Sequence, residues 1–417
     1  MISKNKFFIL MYYYWKILGL FPFELNKKKS LKRSLFGTIY TIILCLVYFI
    51  SLKDVLTNGF NTILVHSSPM SIISDALGVG LNFLTILIIW IIAITQVVKI
   101  KEIIQKFNKT NVSLNNLGID EAIDSSIRLL MIICIVVNII FYIHYILNNI
   151  VMYWCGYNTY QGWFWFDLGL VIGPNALVIF ITSLLVLKKR FKKINRLIID
   201  LPGVNSTVLS RYYEPISHLK AIGQVHSDLK ELLSMISNLF SLPLIILLST
   251  NFMEFAACGY MAYNKFKDDE QQKWQFNNIV TVLALMSWVI LHFCQMFFLI
   301  DSASSTVKEA NETGNILHQV MLQHQFINTR EVEMISLRLL QDPVKVSLYG
   351  FIELDFSFLY NIIKSITSFI IIMLQLDEQA RKSIEVMNLL SSTYDNSSNS
   401  FEFSIDNNYS TNEFIII

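Results

Sequence analysis

Seven blocks of apolar residues divide the chain, at Leu35–Leu52, Leu77–Val98, Leu129–Tyr153, Trp165–Leu187, Ile236–Met261, Ile279–Ile300 and Phe356–Leu376. Crossing a bilayer as a helix takes roughly 20 apolar residues, and each block approaches or exceeds that length. None alternates with the period of two that a barrel strand needs, and only helices or closed barrels satisfy their backbone polar groups in lipid. The pattern therefore predicts an all-α, polytopic membrane protein with seven transmembrane helices.

The polar segments between the blocks carry a pattern of their own. Lys188–Glu231 is basic at its start, breaks at Asp200-Leu201-Pro202-Gly203 and turns amphipathic from Ser206, so the fourth and fifth helices are expected to project past the bilayer and pack there. Residues 301–355 read as a helical anchor region, with Ile316, Val320 and Leu322 at helical spacing and a second helix around Ile335, Leu337 and Leu340. Connections this long with their own periodicity are rarely plain loops. The N-terminal segment, residues 1–34, contains the apolar run Phe7–Phe23, which Lys16 interrupts and no small-residue cleavage site follows. It reads as a retained helix on the membrane face or against the bundle, not a cleaved signal peptide. The tail, 377–417, is polar and low in complexity around Ser391-Ser392, Asn396–Ser400 and Asn407-Asn408, which predicts an irregular segment.

Composition sharpens this picture. Apolar and aromatic residues make up 54% of the 417 and charged ones 15%, with mean hydropathy +0.50. Soluble domains carry about a quarter charged residues. The net charge of +2 gives no indication of nucleic acid as a partner; the basic residues gather at membrane edges. Of the 33 Lys and Arg, 26 fall in the first, third, fifth and seventh polar segments, six in the alternate ones, and one, Lys364, inside the last block. The positive-inside rule then puts the N-terminus in the cytoplasm and, after an odd number of spans, the C-terminus outside.

Candidate chemistry is sparse. The chain shows no Gly-rich phosphate loop, Cys-x-x-Cys or Gly-x-Ser-x-Gly elbow, so neither an enzyme nor a cofactor is expected. Two scattered intramembrane histidines, His144 and His292, do not make a metal site. Cys45, Cys134, Cys155, Cys258 and Cys294 mostly lie within spans and read as small packing residues. Cys155 and Cys258 would both face the oxidising side, where a disulfide can form, with burial of Cys258 as the alternative. Asn396 and Asn408 open glycosylation motifs usable only if the tail is outside; Asn108, Asn111, Asn205 and Asn311 open the same motif in segments expected inside. A G-protein-coupled receptor, the alternative reading, requires the opposite orientation, and no Asp-Arg-Tyr follows the third span nor Asn-Pro-x-x-Tyr the seventh. A secondary transporter would be expected to break matching spans with Gly or Pro. Gly173-Pro174 and Pro243 do not match in this way.

The last third carries a more specific signal. Gly350-Phe351-Ile352-Glu353-Leu354-Asp355 leads into the final span, which ends Ser368-Phe369-Ile370-Ile371-Ile372-Met373-Leu374-Gln375-Leu376. This resembles the signature of the insect gustatory receptor family: a Gly-Leu-Phe-x-Leu-Asp-like approach, then Thr-Tyr, five hydrophobic residues and Gln-Phe. Ser368, Phe369 and Leu376 replace the Thr, Tyr and Phe, while Gln375 is kept. Leu18-Gly19-Leu20-Phe21-Pro22 resembles the family's Leu-Gly-x-x-Pro before the first span, and Ser336–Leu340 with Pro343-Val344 fits its approach to the last helix. Ile370 stands where sugar-tuned members usually carry Glu.

The resemblance implies a taste receptor in the plasma membrane of sensory dendrites, acting as a non-selective cation channel opened by an external small-molecule tastant. It further implies a homo- or heterotetramer whose pore is lined by the last helix. Ser365, Ser368, Ile372 and Gln375 share one helical face and, with Leu376, are the expected conduit and gate. Lys364, beside that face, is expected to turn toward lipid headgroups or toward Asp355 or Glu353. Charged and aromatic residues near the outer ends are the expected ligand contacts, because ionisable groups in spans are costly and usually face a cavity. They are Glu254, His144, Tyr145, Asp167, Trp165 and Trp288. Trp165 also fits an interfacial aromatic belt.

Overall fold

The computed structural model describes residues 6–25, 31–59, 69–118, 123–154, 168–200, 213–267, 276–323 and 330–406. The elements are α1 (Lys6–Ile17), β1 (Phe23–Leu25), β2 (Leu31–Arg33), α2 (Leu35–Asp54, ending in a π-helical turn Val55–Gly59), α3 (Pro69–Thr95) and α4 (Val97–Asn116). They continue with α5 (Ile123–Trp154), a 3-10 turn (Leu168–Val171), α6 (Ile172–Asp200), α7 (Tyr213–Lys267), α8 (Phe276–Gln323), α9 (Arg330–Gln341), β3 (Ser347–Leu348), β4 (Ile352–Glu353) and α10 (Phe356–Asp406). Among the described residues six helices are long and apolar enough to cross a membrane, and α5 adds a shorter apolar stretch, Ile135–Val151. These are the seven expected spans.

The helices extend well beyond the apolar blocks. α7, with 55 residues, runs through Pro243 without ending, and α8 has 48. At 1.5 Å per residue α7 is roughly 80 Å long, far more than the ~30 Å of a hydrocarbon core. The surplus, with the basic half of α6, forms what we call the basic end of the bundle. There the structure packs like a soluble protein. Leu184, Leu187, Phe191, Ile194 and Ile198 of α6 and Leu229 and Leu232 of α7 are fully buried, alongside Ile300, Ala303 and Ala310 of α8 and Val332 of α9. Several polar groups caught in this core are held by hydrogen bonds. Asn195 donates to the Glu309 carbonyl at 2.9 Å and accepts from Thr313 Oγ1 at 2.6 Å. Asn311 closes on Val344 from both sides, donating to its carbonyl at 3.1 Å and accepting its N–H at 2.7 Å. The amide of Asn111 accepts from buried Arg190. A glycan on Asn111 or Asn311 would break those contacts.

His226 of α7 sits in the same core, with its Nε2 donating to the Ala310 carbonyl at 3.0 Å and its ring 5.1 Å from that of Phe191. It lies ten residues before the apolar block that begins at Ile236. Burial is the largest influence and pushes its pKa below the usual imidazole value; the Ala310 bond opposes this weakly and Lys230 adds to it. The unfolded chain therefore binds a proton that the folded one resists, so stability is full above pH ~6.5 and falls below it, by at most about 1.4 kcal/mol per pH unit. Thermal denaturation of purified protein should show a Tm that drops between pH 7 and 5.5. The His226→Leu variant is expected to show a flatter profile, and equal slopes would remove His226 as the cause.

Local chemistry explains the two hairpins. Gly19 ends α1 at φ +75, with Leu20 N–H bonded to the Trp15 carbonyl and Gly19 N–H to that of Lys16, a left-handed helix stop. A Cβ there would lie 2.9 Å from Trp90 Nε1, which itself donates to the Leu18 carbonyl. The β1–β2 hairpin then delivers Ser34, whose Oγ accepts from Gly37 N–H and caps α2. Between β3 and β4, Tyr349 (φ 50) and Gly350 (φ 76) form a turn closed by Phe351 N–H on the Leu348 carbonyl. Asp355 caps α10, its Oδ1 accepting from Phe358 N–H at 2.8 Å.

Several expectations are corrected here. α3 begins at Pro69 and stops at Thr95, where the chain bends at Gln96 into α4, a helix the basic sequence after residue 98 conceals. Of the two placements expected for α1, the structure shows the one against the bundle, where it meets α5 and α6: Tyr14 donates to Asn138 at 2.6 Å and accepts from Asn175 at 3.3 Å. The segment after Leu376, expected to be irregular, stays helical to Asp406. Ion pairs at i,i+4 spacing, Asp377–Arg381 and Glu378–Lys382, support its first turns. Asn408 lies outside the described residues.

Candidate functional site

A cavity of about 390 Å³ opens between α3, α5, α6, α7 and α8, away from the basic end. Helical periodicity builds its walls: Ser74, Gly78, Asn82 and Thr85 recur every three or four residues on α3, as do Asn251, Glu254, Cys258 and Met261 on α7. Leu285, Trp288, His292 and Gln295 do the same on α8, while Phe141 and Gly173-Pro174 close the remaining side. Glu254 Oε1 accepts from Asn82 Nδ2 at 2.8 Å, and Gly78 makes room for it, since a Cβ there would stand 3.0 Å from that oxygen. His292 Nδ1 lies 3.0 Å from Asn251 Oδ1. Thr85 and Thr250 share a 3.0 Å hydrogen bond.

Of the expected ligand contacts, Glu254 and Trp288 line this cavity. His144 stands behind it, hydrogen-bonded to Ser287 Oγ at 2.8 Å with its ring 4.6 Å from that of Trp288. Tyr145 is buried but does not line the cavity. Trp165 and Asp167 lie outside the described residues, as does Cys155; Cys258 is buried in the cavity wall. Asn82 and Asn251 were not singled out from sequence, and His292 was read only as a scattered intramembrane histidine. The signal that marks them is polar residues at helical spacing inside apolar spans. No group of metal-binding side chains occurs among the described residues.

The second candidate region is α10. Ser365, Ser368, Ile372, Gln375 and Leu376 are all exposed, while Leu359, Ile366 and Met373, on the other side of the helix, are buried against the bundle. Lys364 is exposed; Glu353 is already paired with Lys345 at 2.6 Å and Asp355 is occupied as a cap. α7 joins the two regions. Next to its cavity-lining residues, Phe252 meets Phe369 with ring centroids 5.8 Å apart, and a Cβ on Gly259 would stand 3.1 Å from Ile370 Cδ1.

Bilayer-length helices closing around a cavity of small-molecule size define a polytopic membrane protein with an internal binding space. Residues 8–380 match the 7tm Chemosensory receptor family, and the chain belongs to that family, as an insect gustatory receptor. It is 26% identical over 181 residues to the Drosophila melanogaster "Gustatory receptor for bitter taste 66a", covering 42% of this chain but only 34% of that relative. A second D. melanogaster relative, provisionally named gustatory receptor 28b, is 16% identical over 385 residues, 84% of this chain and 79% of that one. The fold is that of the insect olfactory receptor OR5 from Machilis hrabei, solved in complex with eugenol: TM-score 0.59, 14% identity, 89% of this chain and 100% of that one. The same receptor's structure described without eugenol also gives 0.59, at 16% identity.

Proposed function

We propose that the protein is a taste receptor of the plasma membrane of sensory dendrites and a ligand-gated, non-selective cation channel. A small tastant enters the cavity from outside. Four copies, identical or related, place their α10 helices around a central conduit. The observation that carries this reading is the exposed face of α10, on which Ser365, Ser368, Ile372 and Gln375 recur at helical spacing, Ser368 donating to the Lys364 carbonyl of its own helix at 3.1 Å. In a tetramer the hydroxyls and the Gln375 amide would replace water around a passing cation, while Ile372 and Leu376 would narrow and dewet the path. The distribution of Lys and Arg supports a cytoplasmic basic end, an N-terminus inside and a C-terminus outside.

Expression in cells with calcium imaging against sugars, alkaloids and amino acids tests the receptor reading, and patch recording tests the channel. Exchanging Gln375 for Glu is expected to change the relative permeability to calcium and sodium at least twofold; for Ala, to change resting conductance or block. Ligand-evoked current unchanged in both would place the conduit elsewhere. Evoked responses that vanish when G proteins are inhibited, with an N-terminal tag accessible on intact cells, would favour a G-protein-coupled receptor instead.

A further inference from the structure

The cavity specifies the charge of its occupant as well as its size. Glu254 is the only carboxylate among the described lining residues, and no Lys or Arg lines the cavity with it. The hydrogen bond it accepts from Asn82 satisfies part of a carboxylate's capacity of about four acceptor sites. A carboxylate set in an apolar span is costly unless a cation or further donors meet it. The other walls present Asn251, His292 and Gln295 beside two aromatic rings, Trp288, with His292 stacked on it at 5.8 Å, and Phe141 edge-on to Trp288 at 6.4 Å between centroids. An indole is the best of the aromatic faces for holding a positive charge. A volume of about 390 Å³ lies in the range of small-molecule pockets, roughly 300–1,000 Å³.

We infer that this cavity selects small organic cations, protonated amines or quaternary ammonium compounds with an aromatic or branched apolar body, through Glu254 and Trp288. The inference rests on the cavity being the ligand site proposed above. Glu254 meets the ammonium group, Asn82 and Gly78 hold the carboxylate toward the space, and Trp288 and Phe141 take the apolar body. A neutral polyol would leave the charge unmet.

Binding to purified full-length protein tests this separately from gating. Tritium-labelled trimethyl(2-phenylethyl)ammonium serves as the probe, with 2-phenylethylamine, 3-phenylpropan-1-ol and glucose as competitors. Saturable binding is expected, with the amine competing at least tenfold better than the alcohol and glucose not competing. Glu254→Gln is expected to weaken the probe at least tenfold, Glu254→Asp, which keeps the charge, distinctly less, and Trp288→Leu to weaken it several-fold. No saturable binding, an alcohol that competes as well as the amine, or an unchanged, folded Glu254→Gln protein would overturn the inference. The wild-type competition series decides the matter even if a variant fails to fold. Saturable cation binding without evoked current would leave the inference standing and remove the channel; currents evoked by glucose but not by amines would do the reverse.

Discussion

Leucine at Gly259 is expected to raise the ligand concentration for half-maximal current at least tenfold, or to abolish the response, while the protein still reaches the cell surface. Gly259 lies against α10 beside the cavity, and even a methyl group there would crowd Ile370 at 3.1 Å. The same stretch of α7 presents Asn251, Glu254 and Cys258 to the cavity. A ligand that shifts α7 therefore shifts what α10 rests on, and coupling between sites needs such a shared element whose arrangement both bias. Leucine would push the helices apart and fix the arrangement from the wrong side. Alanine asks for only a few tenths of an ångström, so Gly259→Ala is expected to be mild and partly reversed by Ile370→Val. Recordings across that double-mutant cycle supply the check: full additivity would show that the two residues do not act through one another.

The second large effect is expected at Arg190, through folding. Its side chain is almost completely buried on α6, its guanidinium lies 3.7 Å from the centroid of Phe107, and it donates to Asn111, both on α4. Arg190→Ala removes a desolvated cation–π contact and a charged hydrogen bond and opens a cavity among fully buried neighbours. Together these cost about 3 kcal/mol, a large share of a typical stability. The expected result is a Tm lowered by several degrees and a several-fold drop in surface protein. Arg190→Lys keeps the charge but loses the planar group that stacks and forks, so it should recover only part. An unchanged Tm in Arg190→Ala would show that α4 is held by its apolar face alone.

The spans were legible because lipid imposes a length and a polarity that few other environments do. Their true ends were legible only in part: the amphipathic segments from Ser206 and within 301–355 announced helices at the basic end, but hydropathy begins at Ile236 and stops at Ile300 while α7 reaches back to Tyr213 and α8 runs on to Gln323. At the basic end the apolar residues are spaced, not contiguous, and Leu219, Ile222, Val225 and Leu229 disappear among polar neighbours in any running average. α4 was hidden by its lysines, although Thr110 and Leu114 mark a buried side. The hairpins, of three and two residues per strand, are too short to leave a period. Within the site, Glu254 and Trp288 could be read because a carboxylate or a large indole in a span demands a reason. Asn82 and Asn251 make no such demand alone, and no sequence rule links His144 and His292, 148 positions apart, which the fold brings together against Trp288.

The separation of the packed basic end from the cavity has a consequence for how such a protein can diversify. On α7 the basic-end core positions Leu229 and Leu232 lie some four turns, at 3.6 residues per turn, before Leu247, where the cavity begins, and buried residues such as Leu244 fill the stretch between them. Substitutions more than about 7–10 Å apart with no shared partner have nearly independent effects on stability. The wall residues on α3, α7 and α8 can thus be exchanged to suit a different small molecule without drawing on the stability held at the other end. Selection can explore chemistry at one pole of the molecule while the opposite pole keeps every trial folded.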